Sequence, residues 1–340
     1  MSTIPRLQVR NLSTTFHTDE GAVHSVPDVS FDILPGRTTA LVGESGSGKS
    51  VTSLTLMRLL PRTARTTVAG SALFVDRAGQ TVDLLSLPER QMRGVRGNQI
   101  AMIFQEPMTS LNPVFTIGEQ IAESVRLHKG ASHAEALARA KQMLELVEIP
   151  AAGQRLHEYP HQLSGGMRQR VMIALAMACD PTLLIADEPT TALDVTIQAQ
   201  ILELMRKLQR EMGTSILFIT HNLGVVAHHA DEVAVMYAGR IVEVAKVREL
   251  FAGPRHPYTQ GLLACLPGKQ PPHRGTGPRR LYAIRGQVSS PLAPPPGCAF
   301  APRCDKAVAR CDLVMPELLS DGAGRQTRCV LTETPTQEAA

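Results

Sequence analysis

The sequence predicts an α/β protein built on a mostly parallel β-sheet with helices on both faces. Apolar stretches of strand length alternate with stretches of helical periodicity from about residue 39 to residue 244, and that alternation is typical of parallel sheets. Hydrophobic residues make up 43% of the 340 residues and charged residues 19%. This composition supplies enough apolar material for a buried core and excludes a wholly disordered or fibrous chain.

The predicted elements follow one another in a regular order. Residues 7–33 are β-like. Strands are predicted after them at 39–42, 100–104, 182–186, 215–220, 233–237 and 240–244. Helices are predicted at 50–60, 165–178 and 197–212, and the stretch 117–149 is predicted to be mainly helical. The first helix is expected to stop at Pro61. Residues 267–297 hold eight prolines, which predicts a linker or an irregular wrapping segment.

Charge and hydropathy exclude several classes of function. The formal net charge is +4, the basic residues are dispersed, aromatic residues are only 4% and Trp is absent, so we expect no nucleic-acid partner. No apolar stretch approaches the length that spans a membrane. The first residues lack the pattern of a secretory signal, so a cytoplasmic location is expected.

A glycine-rich loop lies between a predicted buried strand and a predicted helix. Residues 43–50 match the pattern G-x-x-x-x-G-K-[ST] in full. The glycines let backbone N–H groups converge on phosphate oxygens at a helix N-terminus, where the helix dipole favours an anion. Lys49 is expected to reach the β- and γ-phosphates and Ser50 to offer its hydroxyl to Mg²⁺.

Two adjacent carboxylates end a second apolar strand. Asp187 and Glu188 follow the stretch 183–186, and a carboxylate at the end of such a strand is placed to hold a nucleotide's Mg²⁺. Glu188 is expected to accept a proton from the attacking water. The alternative is that both side chains merely cap the turn before Pro189.

A third motif opens the helix predicted at 165–178. Ser164 is a good N-cap, so the simplest interpretation is a capped helix. The sequence Ser164-Gly165-Gly166 also leaves bare N–H groups that are able to bind a phosphate.

The order of these motifs resembles that of ATP-binding cassette (ABC) ATPases over about 230 residues. The resemblance implies a P-loop fold with a RecA-like core, an antiparallel β subdomain and a helical subdomain. It implies that Gln105 senses Mg²⁺ and the γ-phosphate, that His221 contacts the γ-phosphate, and that Phe16 stacks on adenine. The implied ATP-binding residues are Phe16, Gly43, Glu44, Ser45, Gly46, Ser47, Gly48, Lys49, Ser50, Val51, Gln105 and His221. The implied Mg²⁺ ligands are Ser50, Gln105 and Asp187. The implied catalytic residues are Glu188, His221 and Gln105.

The same resemblance implies a second ATPase subunit. Ser164, Gly165 and Gly166 are expected to close on the ATP of that partner, and Asp194 lies in the segment called the D-loop. Met167 stands where this motif more commonly has Gln, and the sequence Met-Arg-Gln-Arg that it begins resembles that of peptide importers. The partner cassette is expected to be a related but different chain.

Several segments resemble the ATPase subunits of oligopeptide, dipeptide and nickel importers; they are residues 104–113, 159–166, 256–263 and 296–304. The expected domains are a nucleotide-binding domain at 1–250, with its helical subdomain at about 106–170, and a C-terminal extension at 251–340. The implied partners are two transmembrane permease subunits and an extracytoplasmic solute-binding protein, with this chain on the cytoplasmic face of the membrane. Alternatives are a nickel or metal-chelate importer, or a soluble ABC ATPase acting on ribosomes or DNA.

The last 43 residues hold most of the cysteines. Cys298, Cys304, Cys311 and Cys329 lie in a tail that looks too short for a core of its own, and a metal centre would substitute for hydrophobic burial. The spacing is looser than that of structural zinc or ferredoxin motifs. A [4Fe–4S] cluster is predicted from the resemblance, and zinc or unligated thiols remain as alternatives. The cationic side chains expected to offset its charge are Arg303, Lys306, Arg310, Arg325 and Arg328. Cys179 and Cys265 are expected to be ordinary buried cysteines.

Overall fold

The computed structural model describes residues 4–61, 65–105, 110–191, 193–266 and 282–332. The strands are β1 (Leu7–Thr18), β2 (Gly21–Ile33), β3 (Thr38–Val42), β4 (Arg65–Val75), β5 (Thr81–Asp83), β6 (Ile100–Ile103), β7 (Leu183–Asp187), β8 (Ser215–Thr220), β9 (Glu232–Tyr237), β10 (Arg240–Lys246), β11 (Leu319–Ser320) and β12 (Gln326–Thr327). The α-helices are α1 (Lys49–Leu56), α2 (Glu89–Val95), α3 (Ile117–Lys129), α4 (His133–Leu146), α5 (Ala152–Arg155), α6 (Gly165–Met177), α7 (Val195–Met212), α8 (Leu223–His229), α9 (Val247–Ala252), α10 (Pro257–Ala264) and α11 (Ala309–Leu313).

The chain forms two compact units. Unit 1 consists of Met1–Gln8, Asp32–Thr39 and Ala72–Ile219, and unit 2 of Val9–Phe31, Ala40–Ser71 and Thr220–Ala340. Each unit is therefore discontinuous in sequence.

Unit 1 contains parallel strands and the helices between them. β6 pairs with β7 and β7 pairs with β8, all parallel. β7 and β8 are buried along their whole length, as expected for strands that carry helices on both faces. α3, α4 and α6 pack against one another.

Unit 2 is built around the hairpin of β9 and β10. β10 pairs antiparallel with β9, parallel with β2 at Asp28, and antiparallel with β12 at Thr327. Its buried core includes Tyr237, Tyr258 and Phe300, so the C-terminal tail contributes both a strand and a core side chain.

The structure confirms the predicted alternation of strands and helices and corrects several boundaries. The helix predicted at 50–60 ends at Leu56, because Arg58 adopts a positive φ of 51°; Pro61 is not what stops it. The stretch 117–149 is two helices, since Gly130 ends α3 with a left-handed conformation and Ser132 caps α4. A metal centre was expected to substitute for hydrophobic burial in the C-terminal tail. Side chains of the tail are instead part of the hydrophobic core of unit 2.

The proline-rich segment is partly described. Residues 267–281 lie outside the described residues, while 282–297 form no helix or strand. Pro291 accepts a hydrogen bond of 2.9 Å from the His24 N–H, so this part wraps irregularly over unit 2 as predicted.

Candidate functional site

The phosphate loop connects β3 to α1 and depends on its glycines. Gly46 and Gly48 have positive φ values of 78° and 95°, a conformation that glycine adopts without strain. A Cβ on Gly48 would lie 2.7 Å from the Ser25 carbonyl oxygen. Since α1 begins at Lys49, its first-turn N–H groups lack partners within the helix. The loop therefore has the backbone conformation that an anion site requires.

The Lys49 ammonium is held by the loop itself. Its Nζ donates to the carbonyl oxygens of Gly43 at 2.8 Å and Glu44 at 2.9 Å, and to Ser47 Oγ at 3.3 Å. The residue is only 5% exposed. The cation is thus kept beside the backbone that the sequence assigns to phosphates.

The carboxylate of Glu188 accepts hydrogen bonds from neighbouring side chains of unit 1. Gln105 Nε2 donates to its Oε2 at 3.3 Å and Thr191 Oγ1 donates at 3.0 Å. The Glu188 backbone has a positive φ of 46°, unusual for a residue with a side chain, and its N–H donates to the Ile219 carbonyl oxygen at 2.9 Å. The structure therefore brings Gln105 and Glu188 together, and Thr191 is a partner that the sequence did not reveal.

Asp187 is the last residue of the buried strand β7 and is 3% exposed. Carboxylate and hydroxyl oxygens are the donors that Mg²⁺ prefers, so the chemistry of Asp187 and Ser50 fits that ion.

The N-terminus of α6 is open to solvent. Ser164 caps the helix by accepting a hydrogen bond of 3.3 Å from the Met167 N–H, as its residue type predicts. Nothing lies within 4 Å of the Cβ position of Gly165, whereas a Cβ on Gly166 would lie 3.1 Å from Ile197 Cγ2. Gly166 therefore allows α6 to approach α7 closely, and Gly165 leaves the helix end bare.

Asp194 is the N-cap of α7. Its Oδ1 accepts from the N–H groups of Thr196 at 3.0 Å and Ile197 at 2.9 Å. One end of the D-loop is thus fixed by a helix cap, while Ala192, the residue before Leu193, lies outside the described residues.

Phe16 and His221 are placed in unit 2. Phe16 lies in β1 and is half-buried, and His221 is exposed directly after β8. Neither side chain is sealed in a core, so the roles predicted for adenine and γ-phosphate remain predictions. The segment 104–113 is only partly described, because 106–109 fall outside the described residues.

The four C-terminal cysteines line one cavity of unit 2. Cys298, Cys304, Cys311 and Cys329 share its wall with Phe300, His256 and Lys306. Cys311 and Cys329 are buried, and all six cysteines of the chain are free thiols. The four cysteines are spread over more than thirty positions of the sequence, and the fold brings them to the wall of one cavity.

Burial in the cavity disfavours the thiolate form of three of these cysteines. Burial raises the pKa of Cys298, Cys304 and Cys329, an effect that backbone N–H groups near each sulfur oppose. The Val308 N–H donates to Cys311 Sγ at 3.5 Å. Within the described ranges, no group of three or more His, Cys, Asp or Glu side chains is arranged to hold a metal ion. Metal ligation is therefore not confirmed.

Most of the cations expected to offset these thiolates have other partners. Arg303 pairs with Glu44, Arg325 with Glu243 and Arg328 with Asp28, at 2.9, 2.7 and 2.7 Å. Lys306 does line the cavity. The expectation that the arginines serve the thiols is thus wrong for these three, because carboxylates of the sheet and the phosphate loop bind them.

The other two cysteines differ from each other. Cys179 is fully buried, whereas Cys265 is only half-buried. The expectation of a buried side chain is wrong for Cys265 because it follows the last turn of α10.

Tyr258 and Arg303 contact the phosphate loop at Glu44, a role that the sequence did not predict for either residue. Tyr258 Oη accepts a hydrogen bond of 3.0 Å from the Glu44 N–H, and Arg303 binds the Glu44 carboxylate. His256 orients the start of α10 by accepting from the Tyr258 N–H, and burial lowers the pKa of His256 to about 3, so the ring is neutral. No local pattern signals the contacts of Tyr258 and Arg303 with Glu44, which join residues 214 and 259 positions apart.

Across the described parts of the chain, no helix has the length and apolar character needed to cross a membrane.

Comparison with known proteins identifies the family. A family model for ABC transporters matches residues 26–191, and a model for the oligopeptide/dipeptide transporter C-terminal region matches residues 242–311. A Brucella melitensis protein named as a peptide import ATP-binding protein is 55% identical over 332 residues, 97% of this chain and 98% of its own length. The oligopeptide transport ATP-binding protein AppD of Bacillus subtilis is 52% identical over 336 residues, 98% of each chain.

Solved structures agree with this assignment. The ATP-binding cassette MJ0796, described as a dimer bound to ADP and Pi, is 27% identical with a TM-score of 0.61, over 71% of this chain and 99% of that one. The cbiO1 protein of Clostridium perfringens, part of an ABC transporter complex, is 26% identical with a TM-score of 0.60, over 73% of this chain and 91% of that one. The predicted P-loop fold is confirmed, and this chain belongs to the ABC transporter ATP-binding proteins of the oligopeptide/dipeptide transporter family.

Proposed function

We propose that this chain binds and hydrolyses ATP to energise the import of peptides across the cytoplasmic membrane. The observation that carries the proposal is the likeness over nearly the whole chain to proteins named for peptide import. That likeness includes the C-terminal region, where the oligopeptide/dipeptide model matches.

The phosphate loop supplies the binding chemistry. We assign the phosphates to the loop residues, which are Gly43, Glu44, Ser45, Gly46, Ser47, Gly48, Lys49, Ser50 and Val51. Lys49 would exchange the Gly43 and Glu44 carbonyl oxygens for oxygens of the β- and γ-phosphates. That exchange keeps the ammonium hydrogen-bonded at every stage, so nucleotide entry leaves no buried cation uncompensated. Phe16 is assigned to the adenine ring.

Hydrolysis is assigned to Glu188, Gln105 and His221. Glu188 accepts the proton of the attacking water, Gln105 orients that carboxylate through the hydrogen bond already present, and His221 contacts the γ-phosphate. Ser50, Gln105 and Asp187 would hold Mg²⁺. When bound, the ion neutralises charge that develops on the phosphate oxygens.

A second cassette completes the ATP site. The exposed N-terminus of α6, with Ser164 capping it and Gly165 open above it, is suited to the phosphates of a partner's ATP. We propose a partner that is a related but different chain, with Asp194 near the shared site. Two permease subunits and a solute-binding protein would complete the importer, with this chain peripheral on the cytoplasmic face. The proposed domains are 1–250 for nucleotide binding, with the helical subdomain at about 106–170, and 251–340 for the extension.

We also propose that Cys298, Cys304, Cys311 and Cys329 hold a [4Fe–4S] cluster. The support is a donor set of four thiols around one cavity, with backbone N–H groups beside the sulfurs. When bound, the cluster would cross-link the short segments that carry the thiols.

Reconstitution tests the proposed function. The chain is assembled with its partner cassette, permease subunits and solute-binding protein in vesicles that contain ATP, and uptake of a labelled oligopeptide is measured. Uptake that stops with Lys49→Ala in this chain supports the proposal. Peptide uptake that continues unchanged with Lys49→Ala, or the absence of peptide uptake by a complex that hydrolyses ATP, would contradict it.

A further inference from the structure

The C-terminal extension contacts the phosphate loop at Glu44. Arg303 donates to both oxygens of its carboxylate, from Nη1 to Oε2 at 2.9 Å and from Nη2 to Oε1 at 3.2 Å. Tyr258 Oη accepts from its backbone N–H at 3.0 Å. The Arg303 side chain is 6% exposed and the Glu44 side chain 28% exposed, so this is a partly desolvated, two-pronged ion pair, which is more directional than a surface salt bridge.

The contact fixes the part of the loop that holds Lys49. The Glu44 carbonyl oxygen accepts from Lys49 Nζ at 2.9 Å, and its own N–H and carboxylate are held by Tyr258 and Arg303. Glu44 is therefore anchored on three sides. Ordering a glycine-rich loop before ligand arrives removes part of the entropy cost of binding.

The anchor is itself rigid. Burial alone would lower the pKa of Arg303, but its hydrogen bonds to Glu44 and Tyr237 raise that pKa above the ordinary value, so the guanidinium stays charged. Its Nε donates to the Arg285 carbonyl oxygen at 2.8 Å, and its Cζ lies 5.7 Å from the Tyr237 ring centroid.

Arg303 stands in a turn bounded by two of the cysteines. The 3₁₀ turn Ala301–Arg303 is closed by hydrogen bonds from the Ala301 N–H to the Cys298 carbonyl oxygen and from the Cys304 N–H to the Ala301 carbonyl oxygen. Phe300, 4% exposed, packs against both the Tyr237 and the Tyr258 ring, with centroid distances of 5.2 and 5.4 Å. The position of Arg303 therefore depends on the fold of the extension.

We propose that Arg303 and Tyr258 are positioning residues for ATP binding: the C-terminal extension preorganises the phosphate loop through Glu44. This inference rests on the proposed ATP site at the loop. Neither residue needs to touch the nucleotide, because both hold Glu44, and the phosphate loop that contains Glu44 is the proposed contact with the nucleotide.

Equilibrium binding of ATP to the purified full-length chain tests the proposal. Arg303→Gln should weaken ATP binding about fivefold to tenfold, since it removes charge-assisted hydrogen bonds that hold the loop. Arg303→Lys should recover part of the affinity, because it keeps the charge and loses the two-pronged geometry. Arg285→Gln is the matched control: its side chain is exposed and only its backbone meets Arg303, so its affinity should equal wild type.

Two further measurements separate positioning from general damage. Hydrogen exchange without nucleotide should be faster in Arg303→Gln at residues 43–48 and unchanged in α6. The double variant Arg303→Gln/Glu44→Gln should bind ATP no more weakly than the worse single variant, because both remove the same contact. In the assembled importer, Arg303→Gln should raise the KM for ATP and leave kcat close to wild type.

The outcomes are distinguishable. If Lys49→Ala binds ATP like wild type, the proposed ATP site and this inference both fail. If Lys49→Ala abolishes binding while Arg303→Gln has wild-type affinity, only the positioning role is wrong. Additive losses in the double variant would also overturn it. If Arg303→Gln does not fold, Tyr258→Phe decides: it keeps the ring packing and should weaken ATP binding at least about twofold, and wild-type affinity would refute the proposal.

Discussion

The side-chain amide of Gln105 donates a hydrogen bond of 3.3 Å to the carboxylate of Glu188. The two residues follow the neighbouring parallel strands β6 and β7, which pair at Ile103 and Ala186. Because the carboxyl ends of parallel strands meet at the same edge of a sheet, the strand register itself brings the two motifs together.

Glu188→Gln should leave ATP binding intact and reduce hydrolysis at least about 100-fold. The variant removes the proton acceptor, but its amide oxygen can still accept from Gln105 and Thr191. Phosphate release and ATP affinity are measured on the same preparation, with any partner cassette inactivated. Glu211→Gln, on an exposed face of α7, should hydrolyse ATP like wild type. Hydrolysis by Glu188→Gln at the wild-type rate would show that another group accepts the proton.

Arginine at the N-terminus of α6 should block ATP-driven closure of two cassettes and spare ATP binding to the isolated chain. Ser164→Arg places a bulky cation where the partner's nucleotide is expected, and Gly165→Arg does so at a position with nothing within 4 Å of its Cβ. Association in the presence of ATP is followed by size-exclusion chromatography with Glu188→Gln as background.

Ser132→Arg is the matched control for Ser164→Arg. Ser132 also caps a helix, α4, so this variant loses a comparable cap, worth about 1 kcal/mol, at a helix with no proposed role in closure. It should still associate. Loss of ATP binding by isolated Ser164→Arg would show that the motif serves its own chain's nucleotide instead.

Replacing any one of Cys298, Cys304, Cys311 or Cys329 with Ser should lower the metal content. Each thiolate is a strong ligand, so losses should be similar across the four. Iron and acid-labile sulfide are measured in anaerobically purified protein, and hydrogen exchange over residues 298–332 should rise only in part. Phe300 and Arg328 still hold the tail to unit 2.

Cys265→Ser controls for general effects of losing a thiol and should retain full metal content, since Cys265 lies outside the cavity-lining set. Stoichiometric zinc without sulfide would favour the alternative centre. Neither metal in anaerobic wild-type protein would leave four ordinary thiols and refute the cluster.

Arg328→Met should lower the free energy of unfolding by about 3 kcal/mol. The buried guanidinium donates to Asp28 Oδ2 at 2.7 Å, to the Ile241 carbonyl oxygen at 2.9 Å and to the Pro316 carbonyl oxygen at 3.1 Å. Its removal leaves buried acceptors without their donor. Urea unfolding measures the effect, with Lys141→Met as control. The exposed Lys141–Glu145 pair at 3.8 Å is worth under about 0.5 kcal/mol. Equal losses in the two variants would contradict the assigned role of Arg328.

The sequence by itself determined the strand–helix alternation, the phosphate loop, the pair Asp187–Glu188 and the capped start of α6. Each of these depends on residues within one turn or one strand, where periodicity, glycine conformation and N-cap chemistry act locally. The same locality explains the boundary error at Leu56 and why the break at Gly130 was not predicted, because helix ends depend on single-residue conformations that a periodic pattern averages over.

Only the tertiary structure decided what the C-terminal tail touches. The spacing of the four cysteines carries no information about a shared cavity, and nothing near Arg303 or Arg328 in the sequence announces Glu44 or Asp28 as partners. These pairs join residues 259 and 300 positions apart. They form because β12 pairs with β10 and Phe300 enters the core beside Tyr237 and Tyr258. Because an unpaired buried charge is costly, each of these buried guanidinium groups is paired with a carboxylate.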